Sequence, residues 1–185
     1  LTVDGNGDVV ITGSRFISGT DWDIVIIKYN GTTGAEIWSV IVGGTSNFDS
    51  GVDVVVDSND DVIVVGSRAS TPTDVDFVTL KYSSAGSFIW AKLLGGTGND
   101  LVKLISVDAS DNLYVAGHRE FTPETTFFDF FVAKYNSAGI LQWSNTEDSG
   151  FGNLDTPFAM TLDGSNDVIL AGSGFTDILN EEDYM

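Results

Sequence analysis

Short apolar runs, each stopped by Gly, Asp, Asn or Ser, alternate with polar turns along the chain, and the pattern recurs. Its second occurrence is the clearest, with runs at Val52 to Val56, Val62 to Val65, Phe77 to Tyr82 and Phe88 to Leu94. Short runs rich in Val, Ile, Phe and Tyr between turn formers predict β-strands, here named A to D in order. No stretch carries apolar residues at helical spacing. Ile24 to Ile27 and Val54 to Val56 are unbroken apolar stretches, as expected of strands covered on both faces.

Laying the chain on itself gives the period. Asp4, Asp57, Asp108 and Asp163 each precede a Gly by nine residues, at Gly13, Gly66, Gly117 and Gly172. Lys-Tyr recurs at Lys28-Tyr29, Lys81-Tyr82 and Lys134-Tyr135, and Trp at Trp38, Trp90 and Trp143. Gly-Gly occurs at Gly43-Gly44 and Gly95-Gly96, and the repeat is 51 to 55 residues long. Four antiparallel strands per repeat, covered on both faces by the neighbouring copies, describe a β-propeller blade. A β-helix needs much shorter repeats, and a lone sandwich needs none.

The expected fold is all-β: a β-propeller of about three and a half four-stranded antiparallel blades of an incomplete ring. Blade 1 covers about 1–46, blade 2 about 47–98, blade 3 about 99–152 and the start of blade 4 about 153–185. In register, Leu1 to Asp4 matches the end of a strand A, and Asp183 to Met185 the opening of a strand C. A ring has at least four blades. The expected partner is therefore the remainder of the same propeller, or a second copy, completing the ring.

The stretches Gly95-Gly96-Thr97-Gly98-Asn99-Asp100 and Val107-Asp108-Ala109-Ser110-Asp111-Asn112-Leu113-Tyr114-Val115-Ala116-Gly117 resemble the bacterial and archaeal β-propeller repeat called SBBP. The Gly-Gly-x-x-x-Asp start, the Asp before the turn and the Tyr-Val-x-Gly strand all match. The resemblance covers essentially the whole chain. It implies a secreted or cell-surface protein of several modules, and no particular catalytic residue. The third repeat departs from the pattern, with Asp148-Ser149-Gly150 in place of Gly-Gly.

Composition narrows the partners. With 27 acidic against 8 basic residues the net charge is -19, and 21 of the acids are Asp. Such a field repels phosphate backbones and anionic lipid, which makes nucleic acid and membrane surfaces poor partners. No apolar run approaches the length of a membrane span, so membrane insertion is not expected. The chain has no Cys, so neither a disulfide framework nor a thiolate metal site exists.

Oxygen-bearing side chains stand at the first, third and fifth positions of each A–B turn: Asp4, Asn6 and Asp8; Asp57, Asn59 and Asp61; Asp108, Ser110 and Asn112; Asp163, Ser165 and Asp167. A calcium loop opens this way. An EF-hand then requires a bidentate Glu at the twelfth position, where this chain has Arg15, Arg68, Arg119 and Gly174. Two readings remain: hairpin turns closed by Asx hydrogen bonds, or a shallow calcium site with Asp4, Asn6, Asp8, Asp57, Asn59 and Asp61 as candidate ligands. No other cofactor is indicated.

Residues that recur with the repeat build the blades, so function belongs where the repeat is broken. Arg15, Arg68 and Arg119 are expected to pair across strands with Asp23, Asp76 and Asp129, and the recurring Trp and Tyr to pack between blades. The departures are Trp22, placed in the first B–C loop, and His118, which replaces the Ser of Ser14, Ser67 and Ser173. A longer third B–C loop adds Phe121, Phe127 and Phe128. In a propeller the B–C and D–A connections share one end, so these residues and Ser149 to Asp155 form a candidate surface for a protein or glycan. No nucleophile constellation or phosphate-cradling loop is present. The leading expectation is a non-enzymatic scaffold or contact module. The alternatives are a glycan-active enzyme with its site in the central channel, for which the inner strands offer only Asp53 and Lys103, and a calcium-dependent adhesin.

Overall fold

The computed structural model describes residues 1–18, 21–43, 48–71, 74–96, 98–122, 125–147, 155–175 and 182–184. Every regular element among them is a strand. Blade 1 is β1 (Thr2–Val3), β2 (Val9–Ser18), β3 (Asp21–Tyr29) and β4 (Glu36–Val42). Blade 2 is β5 (Ser50–Val56), β6 (Val62–Thr71), β7 (Asp74–Tyr82) and β8 (Phe88–Leu94). Blade 3 is β9 (Asp100–Val107), β10 (Leu113–Thr122), β11 (Thr125–Tyr135) and β12 (Leu141–Glu147). Blade 4 is β13 (Thr156–Leu162), β14 (Val168–Phe175) and β15 (Glu182–Tyr184). Each sheet is an antiparallel meander in chain order, as the apolar runs predict.

The A strands pack on one another from blade to blade, β5 on β9 and β9 on β13, whereas the D strands splay apart. That convergence is the propeller geometry, and the ring is not closed among the described residues. Strand A bulges once in each of blades 2, 3 and 4, leaving Val52, Lys103 and Phe158 without a cross-strand partner. A bulge bends the strand and increases its twist where inner strands crowd.

The core lies between blades. Val10, Ile24 and Ile26 of blade 1 pack with Val54, Val62, Val64, Val78, Leu80 and Tyr82 of blade 2. Ile63, Val65 and Phe77 pack with Ile105, Leu113, Val115, Phe131, Ala133 and Tyr135 of blade 3. Outer edges are joined by tryptophan. The indole of Trp38 donates from Nε1 to the Ser84 carbonyl of the next blade at 3.0 Å, and its ring lies on Gly86. Trp90 lies in the same way on Gly139. Both glycines have positive φ, 82° and 72°, and a Cβ on either would press into the indole. The expectation that these tryptophans pack between blades is met for Trp38 and Trp90.

The first blade differs in one respect. Val25, Ile27 and Tyr29 hold the register positions of Val78, Leu80 and Tyr82, yet they are half-buried where their counterparts are buried. Gly34, counterpart of Gly86 and Gly139, has no ring against it. The two faces make a direct comparison. In urea titration Leu80→Ala is expected to destabilise the chain by about 2–5 kcal/mol, the range for a buried large-to-small change. Ile27→Ala at the matching position is expected to cost less than half as much, and equal losses would contradict the burial difference.

Candidate functional site

The A–B turns show how the recurring carboxylates are used. Asp4 Oδ1 accepts from the amides of Asn6 and Asp8, each at 2.9 Å, and Asp57, Asp108 and Asp163 close their turns in the same way. The second oxygen meets the lysine of strand C. Lys28 Nζ stands 2.6 Å from Asp4 Oδ2, and Lys81 Nζ 2.6 Å from Asp57 Oδ2 with Asp61 at 3.3 Å. Burial works against ionisation of Asp4, but Lys28 and the two amides outweigh it and hold the carboxyl below its usual pKa. Lys81 is likewise disfavoured by burial and yet raised overall by Asp57 and Asp61. Of the other calcium candidates, Asp8 Oδ1 accepts from Asn30 and Gly31, and Asn6 reaches toward Asp60. Asn59 contributes its backbone amide to the Asp57 turn. The cation these carboxylates hold is thus a lysine of the same blade, which supports the Asx-turn reading.

Blade 3 varies the scheme. Lys134 stands 4.0 Å from Asp108 Oδ2 and lies over the Tyr114 ring at 4.7 Å, while the Tyr114 hydroxyl and the Asn112 amide donate to that oxygen. Here burial raises the Asp108 pKa less than the Asn112, Ser110 and Tyr114 hydrogen bonds lower it.

The fourth turn residue links blades. Asp60 and Asp111 adopt left-handed backbone, φ 60° and 61°, which Asp tolerates better than most residues. Asp60 Oδ1 accepts from the Gly5 amide of blade 1 at 2.8 Å, and Asp111 from the Ser58 amide and hydroxyl of blade 2 at 2.9 and 2.7 Å. These Ser58 bonds hold Asp111 below its usual pKa.

The Arg–Asp expectation needs correction. Arg15, Arg68 and Arg119 do face Asp23, Asp76 and Asp129 in register. The ion pair that Arg119 makes, however, is with buried Asp100 at 3.3 Å. Arg15 is exposed and makes no ion pair with Asp23, whose Oδ1 has no partner among the described residues. Asp23 and Asp76 are instead tucked against Gly43 and Gly95, where any Cβ would collide with the carboxyl oxygen. This is why Gly recurs after strand D. Burial, and then the charge of Asp21, raise the Asp23 pKa.

The inner strands offer little chemistry. Asp53 accepts from the amides of Val54 and, across the blade boundary, Ile105, at 2.9 and 3.1 Å. Lys103 is exposed at its bulge. Between the splayed outer strands of blades 1 and 2 lies an apolar crevice of about 190 Å³ lined by Ile24, Val42, Leu80 and Leu93, with Asp49 and Arg68.

The repeat-breaking residues fall into two groups. Trp22 is not in a loop: it belongs to β3, opposite Phe16, because β2 and β3 extend beyond the apolar runs visible in the sequence. Its ring meets Phe16 edge-on at 5.4 Å and Phe48 at 6.0 Å, inclined by 61° and 47°. The Trp22 carbonyl accepts from the Asp49 amide at 2.7 Å, which draws the D–A connection alongside β3. Phe16, Trp22 and Phe48 remain 51%, 37% and 55% exposed, with Ile17 beside them in sequence also exposed. Phe16 and Phe48 were not anticipated. The signal was available in register, since Ala69 and Val75 of blade 2, and Asn99 in the connection that follows it, stand at the three positions.

His118 and Phe128 form the second group, in blade 3, where the expected long loop is mostly strand, β10 and β11. The side chains of Phe121 and Phe127, and the stretch 148–154, lie outside the described residues. His118 is 5% exposed, with its ring 4.8 Å from that of Phe128. Burial, then the charge of Lys103, lower its pKa to about 4, and the Asp155 backbone nearby opposes this without offsetting it. His118 is therefore an interior neutral imidazole and not part of a surface with Trp22.

Two outcomes follow from these groups. Lys81→Met, which strands the buried Asp57 charge, is expected to cost about 3–5 kcal/mol in denaturant titration. Adding Asp57→Asn is expected to recover much of that loss, and a Lys81→Met cost below about 1 kcal/mol would refute a buried lock. For His118 the folded pKa of about 4 lies below the unfolded 6.5. Its stabilisation is whole above pH 6.5 and is lost as pH falls toward 4, by up to about 3 kcal/mol. Melting curves should show that slope in the native chain and not in His118→Ser. A slope confined to pH below 3.8 would belong to Asp4, Asp108 and Asp111 instead.

No family model matches the chain. Its sequence is similar to the uncharacterized WD repeat-containing protein L264 of Acanthamoeba polyphaga mimivirus, at 24% identity over 193 aligned residues that take in 76% of this chain. The chain spans 14% of that relative's length. A WD repeat is itself a four-stranded propeller blade, so the likeness agrees with the architecture described above.

Proposed function

We propose that this chain is a non-enzymatic β-propeller binding module whose contact surface is the end where the B–C and D–A connections meet. One observation carries the reading. The Phe16, Trp22 and Phe48 rings are exposed at positions that do not recur in blade 2, whereas the recurring turn carboxylates close turns, bind lysine or join blades. Exposed aromatic clusters on otherwise polar surfaces mark interaction sites. The SBBP-like turns and strands support a secreted or cell-surface setting, with a protein or glycan as ligand. The half-buried face of blade 1 and the ringless Gly34 support a further blade as neighbour, from the same protein or a second copy.

A glycan-active channel is the competing reading, and Asp53 weighs against it because its carboxylate is occupied by two backbone amides. Two measurements decide between them. Phe16→Ser and Phe48→Ser are expected to change stability by less than about 1 kcal/mol, as for surface positions, whereas Phe77→Ser should cost about 3 kcal/mol or more. A large loss at Phe48 would make the cluster structural. Release of reducing ends from polysaccharides, abolished by Asp53→Asn, would overturn the non-enzymatic reading.

A further inference from the structure

The binding-module reading leaves the partner's chemistry open, and the inference here rests on it. The apolar crevice between blades 1 and 2 narrows that chemistry. Ile24 and Val42 wall it on the side of blade 1, and Val78, Leu80 and Leu93 on the side of blade 2. It reaches the surface, because Leu93 is 57% exposed and Arg68 is also exposed. At about 190 Å³ it has room for one ring, since an apolar cavity of about 150 Å³ accommodates benzene.

The next seam shows what such a place holds. Phe131 stands opposite Gly117 in blade 3, as Val78 stands opposite Gly66 in blade 2. Arg119, two residues after Gly117, places its guanidinium over the Phe131 ring, 5.6 Å from the centroid. Arg68 holds the same position after Gly66, with Val78 in place of the ring. Phe77 of blade 2 meets Phe131 edge-on at 5.3 Å, and its counterpart on blade 1 is Ile24. Leu80, where blade 3 has Ala133, occupies part of the space, and the crevice is what remains. An aromatic ring entering it finds aliphatic walls and a guanidinium to lie beneath, a favourable pairing for a ring face.

The lining selects against sugars and cations. Asp49 and Arg68 are its two charged side chains, and Asp49 Oδ1 already accepts from the Ala69 amide at 3.0 Å. A sugar placed there would strand most of its hydroxyls, and Arg68 would repel an arriving cation. The crevice also continues the exposed aromatic cluster. Trp22 and Ile24 lie two residues apart on one face of β3, and Asp49 follows Phe48. A polypeptide segment covers both, with an anchor in the crevice and its flanks on the rings, whereas a small molecule fills only the first.

We infer that the crevice receives one aromatic side chain from a partner protein, its ring standing by Arg68 as Phe131 stands by Arg119. The test uses the whole chain and follows the methyl resonances of Ile24, Val42 and Leu80 by NMR. The probes are the capped pentapeptide Gly-Gly-Phe-Gly-Gly, its counterparts with Ala or Arg at the centre, and cellohexaose. Expected are saturable shifts of these methyls with the Phe peptide alone. Val78→Phe, which fills the crevice with the ring that blade 3 carries, is expected to weaken binding at least tenfold. Leu93→Asp, at an exposed position of the lining, is expected to do the same, and Ile169→Ala, exposed on β14, to leave binding unchanged.

Absence of these shifts in the native chain would overturn the inference, and so would native-like binding by Leu93→Asp. That second variant decides alone if Val78→Phe does not fold. Shifts caused equally by the Ala or Arg peptide would show that no aromatic anchor is recognised. Shifts caused by cellohexaose without the Phe peptide would also overturn the inference, while leaving the module reading intact. The Phe48→Ser stability measurement judges that reading separately.

Discussion

Blades 1 and 2 each depend on one carboxylate that makes two kinds of contact at once. The aspartate opening the A–B turn gives one oxygen to two turn amides and the other to a lysine two strands away in the sheet sequence, from the end of strand C. Hairpin A–B and strand C are thereby held in one register by a single side chain. The arrangement has to be buried, because the faces on either side of the sheet are covered by neighbouring blades. Burial without the lysine would leave an unpaired charge, which is among the costliest defects a small domain can carry. The lysine and aspartate therefore recur together, and the tyrosine after the lysine closes the interblade core. Burial raises the pKa of Tyr135 to about 12, as expected of a phenol enclosed on that boundary.

Cohesion between blades is divided by radius. At the inner side, bulged A strands and the Asp53 carboxylate join neighbouring backbones. At the turn rim, Asp60 and Asp111 accept from the preceding blade. In the middle, Val, Ile, Leu and Phe interlock, and at the outer edge an indole rests on a glycine turn. The first blade carries Gly7 in place of Asp60 or Asp111, with a φ of 83°, also positive, and no side chain to reach backward. Its turn keeps the conformation while giving up the link.

The architecture was legible because it is written in local signals repeated several times. Apolar runs gave the strands, and β8 coincides with the run Phe88 to Leu94. The site was less legible. β2 and β3 run on through polar residues to Ser18 and Asp21, where pairing and not hydrophobicity sustains the strand, so Trp22 read as loop. Phe48 sits outside any apolar run and meets Trp22 only through a parallel bridge between sequence-distant segments. The Arg–Asp pairs misled for a related reason. Register places Arg119 opposite Asp129, but the side chain turns to Asp100, which the D–A connection delivers to the same end. Alternation along a strand cannot report what a neighbouring connection brings alongside.

The acidity of this protein also takes on a different meaning once its cations are located. As composition it is a ratio of 27 to 8, and much of the aspartate does close turns. Yet the lysines most useful for balancing that charge are inside, consumed by Asp4 and Asp57. Internal pairing removes one acid and one base together, so the net charge is unchanged while the surface loses two of the chain's 8 cations. The same lock that stabilises blades 1 and 2 therefore leaves the exterior more negative than the sequence ratio suggests. An exposed aromatic cluster set in such a field discriminates by charge before it discriminates by shape, since complementary potential acts on encounter and close packing only afterwards.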